Sequence, residues 1–153
     1  NLSKSKVYAL DISKKALGTA KSNAELNKVD VCFINEDILQ FNDWSKDINK
    51  LKFDVIVSNP PYVRELERTQ MKENVLLHEP HLALFVHNED PLQFYKAIAQ
   101  YASVHLNLNG VLYFEINEYL GEGMMQLLTD YHFKSIELKK DMFGKDRMIK
   151  AIK

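Results

Sequence analysis

Phe53-Asp54-Val55-Ile56-Val57-Ser58-Asn59-Pro60-Pro61-Tyr62 is the stretch that decides the fold. Residues 53–57 are rich in β-branched side chains, as buried parallel strands are, and the run stops at a stiff Asn-Pro-Pro-Tyr segment. Upstream, Val7-Tyr8-Ala9-Leu10 is a short apolar run ending at Asp11. Ala16, Leu17, Ala20 and Ala24 then recur at helical intervals, with Ser13 suited to cap the helix and Asn27-Lys28 to stop it. A second strand, Val31 to Ile34, ends at Asn35-Glu36-Asp37, and a polar stretch from Asn42 to Lys52 leads back to Phe53.

Downstream, residues 63 to 90 read as a long polar loop with some local helix, broken by Pro80 and closed at Pro91. Loops of that length are usually functional. Tyr95, Ile98, Ala99, Ala102 and Leu106 mark a helix opened by Pro91 and closed by Asn109-Gly110, before a strand from Val111 to Ile116. Leu120, Met124, Leu127, Leu128 and Tyr131 trace another helix, and Phe133 to Lys139 with Arg147 to Ile152 form a hairpin around Gly144. This alternation predicts an α/β fold: a mostly parallel sheet with helices on both faces and a C-terminal antiparallel hairpin. Ligands in such folds bind beyond the carboxyl ends of the strands, so Asp11, Asp37 and Asn59 are expected on one rim.

The 153 residues suit one domain, 1–153, with 46% hydrophobic and 27% charged residues, enough apolar material for a core. A formal net charge of -1 excludes a bulk positive field for coating nucleic acid. The single cysteine, Cys32, cannot form an intrachain disulfide, which favours a reducing, cytoplasmic setting, and its place in a strand predicts a small core residue. No apolar stretch reaches membrane-spanning length, so no membrane partner is expected. Asn1 opens directly into a strand pattern, and the chain is expected to start partway through a domain.

The prolines at 60 and 61 hold the chain extended. The Asn59 side-chain oxygen and the Pro60 carbonyl can then point into a cleft as two acceptors, with Tyr62 supplying a flat face. Two acceptors and a ring suit a planar NH2 group, a poor nucleophile whose lone pair is delocalised. Catalysis on it rests on orientation and on stabilising the positive charge that grows on nitrogen. The competing reading is a proline-rich turn with Tyr62 at the core edge. Asp11 can accept from ribose hydroxyls or simply cap the next helix. Asp37 can accept from an adenine amino group, with Ile38 near the base, or be a solvated turn acid. Glu115, an acid in an apolar strand, needs a partner. His78, His81 and His87 fit no zinc spacing, and no metal is expected.

From Val57 to Val63 the sequence resembles the S-adenosylmethionine-dependent methyltransferases of planar nitrogen, specifically the HemK/PrmC release-factor glutamine methyltransferases. Tyr8 to Ser13 with Ala16 and Ala20, Glu36-Asp37-Ile38, Glu79-Pro80 with Ala83-Leu84, Phe114-Glu115 and Asp141 to Arg147 resemble further blocks of that family, in order. The resemblance implies a Rossmann-like class I methyltransferase fold. It also implies methyl transfer to the side-chain amide of the glutamine in the Gly-Gly-Gln motif of class-1 peptide-chain release factors. Asn59 and Pro60 would hold that amide, Tyr62 would lie on its plane and Pro61 would line the same pocket. Asp11 would bind the ribose of S-adenosylmethionine, Asp37 and Ile38 its adenine, and Asn59 would also border the cofactor.

The family's glycine loop would lie about 20 residues before the ribose acid, yet only ten residues precede Asp11. The first strand and the glycine loop are therefore expected to fall outside this chain. The missing strand would be the sheet's central one, flanked by the strands that end at Asp11 and Val57, and the 153 residues alone would bind the cofactor weakly and be impaired or inactive. The alternatives are an adenine-N6 methyltransferase on DNA or RNA, for which the neutral charge offers no basic track, and a non-catalytic protein-binding remnant.

Overall fold

The computed structural model describes residues 5–64, 84–86 and 89–153. The chain divides into two compact units, residues 1–45 and 46–153.

The first unit holds strands β1 (Val7–Leu10) and β2 (Val31–Ile34), paired in parallel with Leu10 opposite Ile34, and helix α1 (Lys14–Asn27) between them. The expected cap is in place: the Ser13 hydroxyl accepts from the Ala16 N–H at 3.2 Å. Lys28 closes the helix in the left-handed region, φ 53°, its N–H returning to the Ala24 and Glu25 carbonyls. A short 3-10 helix, Ile38–Asp43, follows β2, and Phe41 within it and Trp44 just after it are buried. Cys32 is exposed, contrary to the core position expected. It lies in a strand that has one neighbour among the described residues and in which no side chain is fully buried.

The second unit is built on a four-stranded sheet in the order β3 (Phe53–Ser58), β6 (Leu106–Glu115), β8 (Asp146–Ile152), β7 (Lys134–Lys140). β3 and β6 are parallel, and β6–β8 and β8–β7 antiparallel, so the expected parallel pairing and final hairpin are both present in a mixed sheet. Two-residue strands β4 (Val63–Arg64) and β5 (Phe85–Val86) pair in parallel at the ends of the expected long loop. The rest of that loop, including Glu79-Pro80 and His78, His81 and His87, lies outside the described residues.

Helices α2 (Gln93–His105) and α3 (Gly121–Asp130) close the core, α2 packing on β6 and α3 on β7 and β8. Tyr95, Ala99, Ala102, Leu112, Phe114, Ile116, Met124, Leu128 and Ile149 are among its most buried side chains. Pro91 precedes α2 by two residues rather than opening it. α2 also ends earlier than its periodicity suggests. Leu106 turns extended (φ -71°, ψ 144°), pairs with Phe53 and begins β6, so its apolar side chain is buried from a strand. Asn109-Gly110 is thus an irregularity inside β6. Asn109 takes φ 63°, and a Cβ at Gly110 would lie 2.9 Å from the Asn107 carbonyl. A Cβ at Gly121 would collide with the Asp146 carboxylate and meet the end of the Leu138 side chain at 3.0 Å, so those side chains would have to shift.

The hairpin turn is organised by Asp141, whose Oδ1 accepts from the N–H groups of Phe143 (2.8 Å) and Lys145 (3.1 Å), with Gly144 at φ 78°. The Lys145 N–H, then that of Phe143 and the nearby Arg147 guanidinium, hold the Asp141 carboxyl below its ordinary pKa.

Candidate active site

Asp11 and Asp37 stand just past the carboxyl ends of β1 and β2, within the first unit. The Asp11 N–H donates to the Ile34 carbonyl (3.2 Å), and Asn35 Nδ2 donates to the carbonyls of Asp11 (3.0 Å) and Ile12 (2.8 Å), tying the two strand ends together. Asp11 Oδ1 accepts from the Ser13 N–H at 2.7 Å, and Asp37 Oδ1 from the Leu39 N–H at 2.9 Å. Both acids therefore make the local turn bonds that the simpler reading requires. One oxygen of each carboxylate is used in this way, and the other has no hydrogen bond among the described residues. The Asp37 carbonyl accepts from Trp44 Nε1 at 3.0 Å, anchoring the turn, and Ile38 is half-buried beside it.

Asn59 to Tyr62 lie at the carboxyl end of β3, within the second unit. Asn59 is exposed, while the next residue, Pro60, is buried, and Pro61 and Tyr62 are half-buried. The buried proline fixes the backbone and leaves the Asn59 amide presented to solvent, without a hydrogen bond among the described residues.

The Tyr62 hydroxyl donates to Glu115 Oε1 at 3.2 Å, which supplies the partner this acid needs. Asn117 Nδ2 reaches the Tyr62 carbonyl at 3.4 Å, and the Tyr95 hydroxyl donates to the Glu115 carbonyl at 3.0 Å. Burial first, then the Glu115 charge and hydrogen bond, push the Tyr62 phenol above its ordinary pKa, with Arg147 opposing. Sequence reasoning missed Asn117 and the Tyr95 hydroxyl. The signal for Asn117 was its spacing two residues beyond Glu115, whereas Tyr95 reads simply as a core position.

The first unit thus offers half-used carboxylates after two parallel strands, and the second, taken by itself, offers an exposed amide on a proline-stiffened turn beside a tethered ring. Among the described residues no cluster of three or more metal-ligating side chains occurs, and no helix is long and apolar enough to cross a membrane.

The chain is 54% identical over 99% of its length to the release factor glutamine methyltransferase of Flavobacterium psychrophilum, covering 51% of that protein. It is 44% identical over 99% of its length to the protein of that name from Bacteroides thetaiotaomicron, covering 53% of it. The chain spans about half the length of the curated relatives it matches. Among solved structures it resembles a methyltransferase from Pyrococcus furiosus, with a TM-score of 0.64 at 20% identity over 96% of this chain and 62% of that one. The strand-end geometry, the shared fold and the match of residues 1–85 to the family model together place this chain in the methyltransferase small domain family.

Proposed function

We propose that the protein carrying this chain transfers a methyl group from S-adenosylmethionine to the side-chain amide nitrogen of the glutamine in the Gly-Gly-Gln motif of class-1 peptide-chain release factors. The observation that carries the reading is the 54% identity over nearly the whole chain to a release factor glutamine methyltransferase. It is supported by an exposed Asn59 on a buried Pro60, next to the tethered Tyr62.

The donor set fits the cofactor. The unused carboxylate oxygens of Asp11 and Asp37 can accept from ribose hydroxyls and from the adenine amino group respectively, with Ile38 against the base. When bound, S-adenosylmethionine supplies an electrophilic methyl group on a sulfonium, taken by in-line displacement. The chain's own residues deal with the nucleophile. Asn59 Oδ1 and the Pro60 carbonyl accept from the two N–H bonds of the glutamine amide, Pro61 lines the pocket and Tyr62 lies against the amide plane. Those acceptors gain strength as positive charge develops on nitrogen, so they favour the transition state over the ground state. The proton is lost once nitrogen has become acidic, and no strong base is needed before transfer.

The test offers the full-length protein methyl-labelled S-adenosylmethionine with a class-1 release factor, duplex DNA and RNA in parallel. Label in the release factor is the expected result. Label confined to adenine in nucleic acid would replace this reading with the adenine-N6 one, and no label anywhere would leave the non-catalytic one.

A further inference from the structure

Glu115 interrupts a strand end whose neighbours, Phe114 and Ile116, are fully buried, so its carboxylate must be held by something specific. The structure provides a grip on one residue. Tyr62 is bonded at its hydroxyl by Glu115 Oε1 (3.2 Å) and at its backbone carbonyl by Asn117 Nδ2 (3.4 Å). Both holders are themselves fixed. The Glu115 carbonyl accepts from the buried Tyr95 hydroxyl (3.0 Å), and Asn117 Oδ1 accepts from the Tyr119 N–H (3.1 Å). The Ile116 N–H between them donates to the Arg147 carbonyl at 2.9 Å, locking the end of β6 to β8.

A tyrosine needed only to fill space would be satisfied by water or a backbone carbonyl at its hydroxyl. A charge-assisted bond to a strand-end carboxylate instead restricts the ring's rotation about its side-chain torsions. We propose that Glu115 is a positioning residue, which with Asn117 sets the plane of the Tyr62 ring and thereby the plane in which the substrate amide is presented. This rests on the function proposed above. For a weak, delocalised nucleophile, orientation is the main source of rate, so the loss of the tether is felt in turnover more than in binding.

The test is a double-mutant cycle in the full-length protein, with kcat and KM for release-factor methylation measured separately. Glu115→Ala and Tyr62→Phe should each lower kcat about tenfold with KM changed less than about threefold, and the double variant should be no worse than either single one. Glu115→Gln, whose amide oxygen still accepts from the phenol, should recover activity to within about threefold of the parent. Multiplicative losses in the double variant would overturn the proposal, because Glu115 would then act independently of Tyr62. A Glu115→Gln variant as inactive as Glu115→Ala would also overturn it, pointing to proton removal by the carboxylate.

A second readout needs no activity: NMR titration of carbon-13-labelled tyrosines, with the Tyr62 signal assigned by its loss in Tyr62→Phe. Glu115→Ala should move the Tyr62 midpoint downward, and an unmoved midpoint would refute the tether. If the parent protein leaves glutamine unmethylated, the functional reading fails while this titration still decides whether Glu115 holds the ring.

Discussion

Replacing Tyr95 by phenylalanine and by leucine separates the two things that side chain does at the heart of the second unit. Tyr95 is 0% exposed, meets Phe114 edge to face (centroids 5.2 Å apart, planes at 87°) and donates its hydroxyl to the Glu115 carbonyl at 3.0 Å. Tyr95→Phe removes the hydroxyl alone and should cost about 1 kcal/mol, the net worth of one buried hydrogen bond. Tyr95→Leu also removes the aromatic contact, worth about 1 kcal/mol, and opens a cavity, for a total of about 3–4 kcal/mol. Urea titration of the purified protein followed by far-ultraviolet circular dichroism reads both. With a slope of about 2 kcal/mol per molar urea, the midpoint should fall by about 0.5 M for phenylalanine and about 1.5–2 M for leucine. Equal losses for the two variants would show that the ring contact contributes nothing separable. A phenylalanine variant as stable as the parent would remove the Tyr95–Glu115 bond from the account of how β6 ends.

Asn59→Ala should leave thermal stability within about 0.5 kcal/mol, since the exposed side chain bonds no described residue, yet lower kcat/KM about 10²-fold or more; a melting curve alongside a methyl-transfer assay checks both. Gly121→Ala should destabilise by about 1–3 kcal/mol, because the added carbon collides with the Asp146 carboxylate and meets Leu138 at 3.0 Å; denaturant unfolding measures it. Asp141, whose folded pKa is depressed below 3.8, stabilises the hairpin turn above that value and loses the effect as pH falls through its folded pKa. Amide exchange at Phe143 and Lys145, corrected for intrinsic rates, should therefore accelerate relative to the core below pH 3.8, and Asp141→Asn should weaken that dependence.

Much of the fold was legible because the apolar periodicities are short and cleanly punctuated. Val7 to Leu10, Val31 to Ile34 and Phe53 to Val57 each end at a polar residue, and the structure stops each strand within one residue of that point. Ser13 was readable as a cap because its hydroxyl has a local target at fixed spacing, the Ala16 N–H. The end of α2 was not readable. Leu106 satisfies the helical repeat, and only its pairing with Phe53, a contact 53 positions away in the chain, commits it to a strand. Cys32 failed for a related reason, since strand membership does not say how deeply a strand is covered, and β2 buries none of its side chains fully.

Residue type and strand-end position singled out Asn59, Tyr62, Asp11 and Asp37 as candidates, and within its own unit each of them lies past the carboxyl end of a strand, where ligands of such sheets gather. The demand that Glu115 find a partner was legible from its charge. Which residue answers it was not, because the Tyr62 hydroxyl comes from 53 positions upstream. Nor does anything local mark Tyr95, an ordinary member of an amphipathic helix whose hydroxyl finds the Glu115 carbonyl only in the folded unit.

The central claim is tested most directly by peptide mass spectrometry of a class-1 release factor after incubation with the full-length protein and S-adenosylmethionine. One added methyl group is expected on the glutamine of the Gly-Gly-Gln tripeptide, abolished by Asn59→Ala. An unmodified glutamine, or a methyl group that persists in the Asn59→Ala variant, would contradict it.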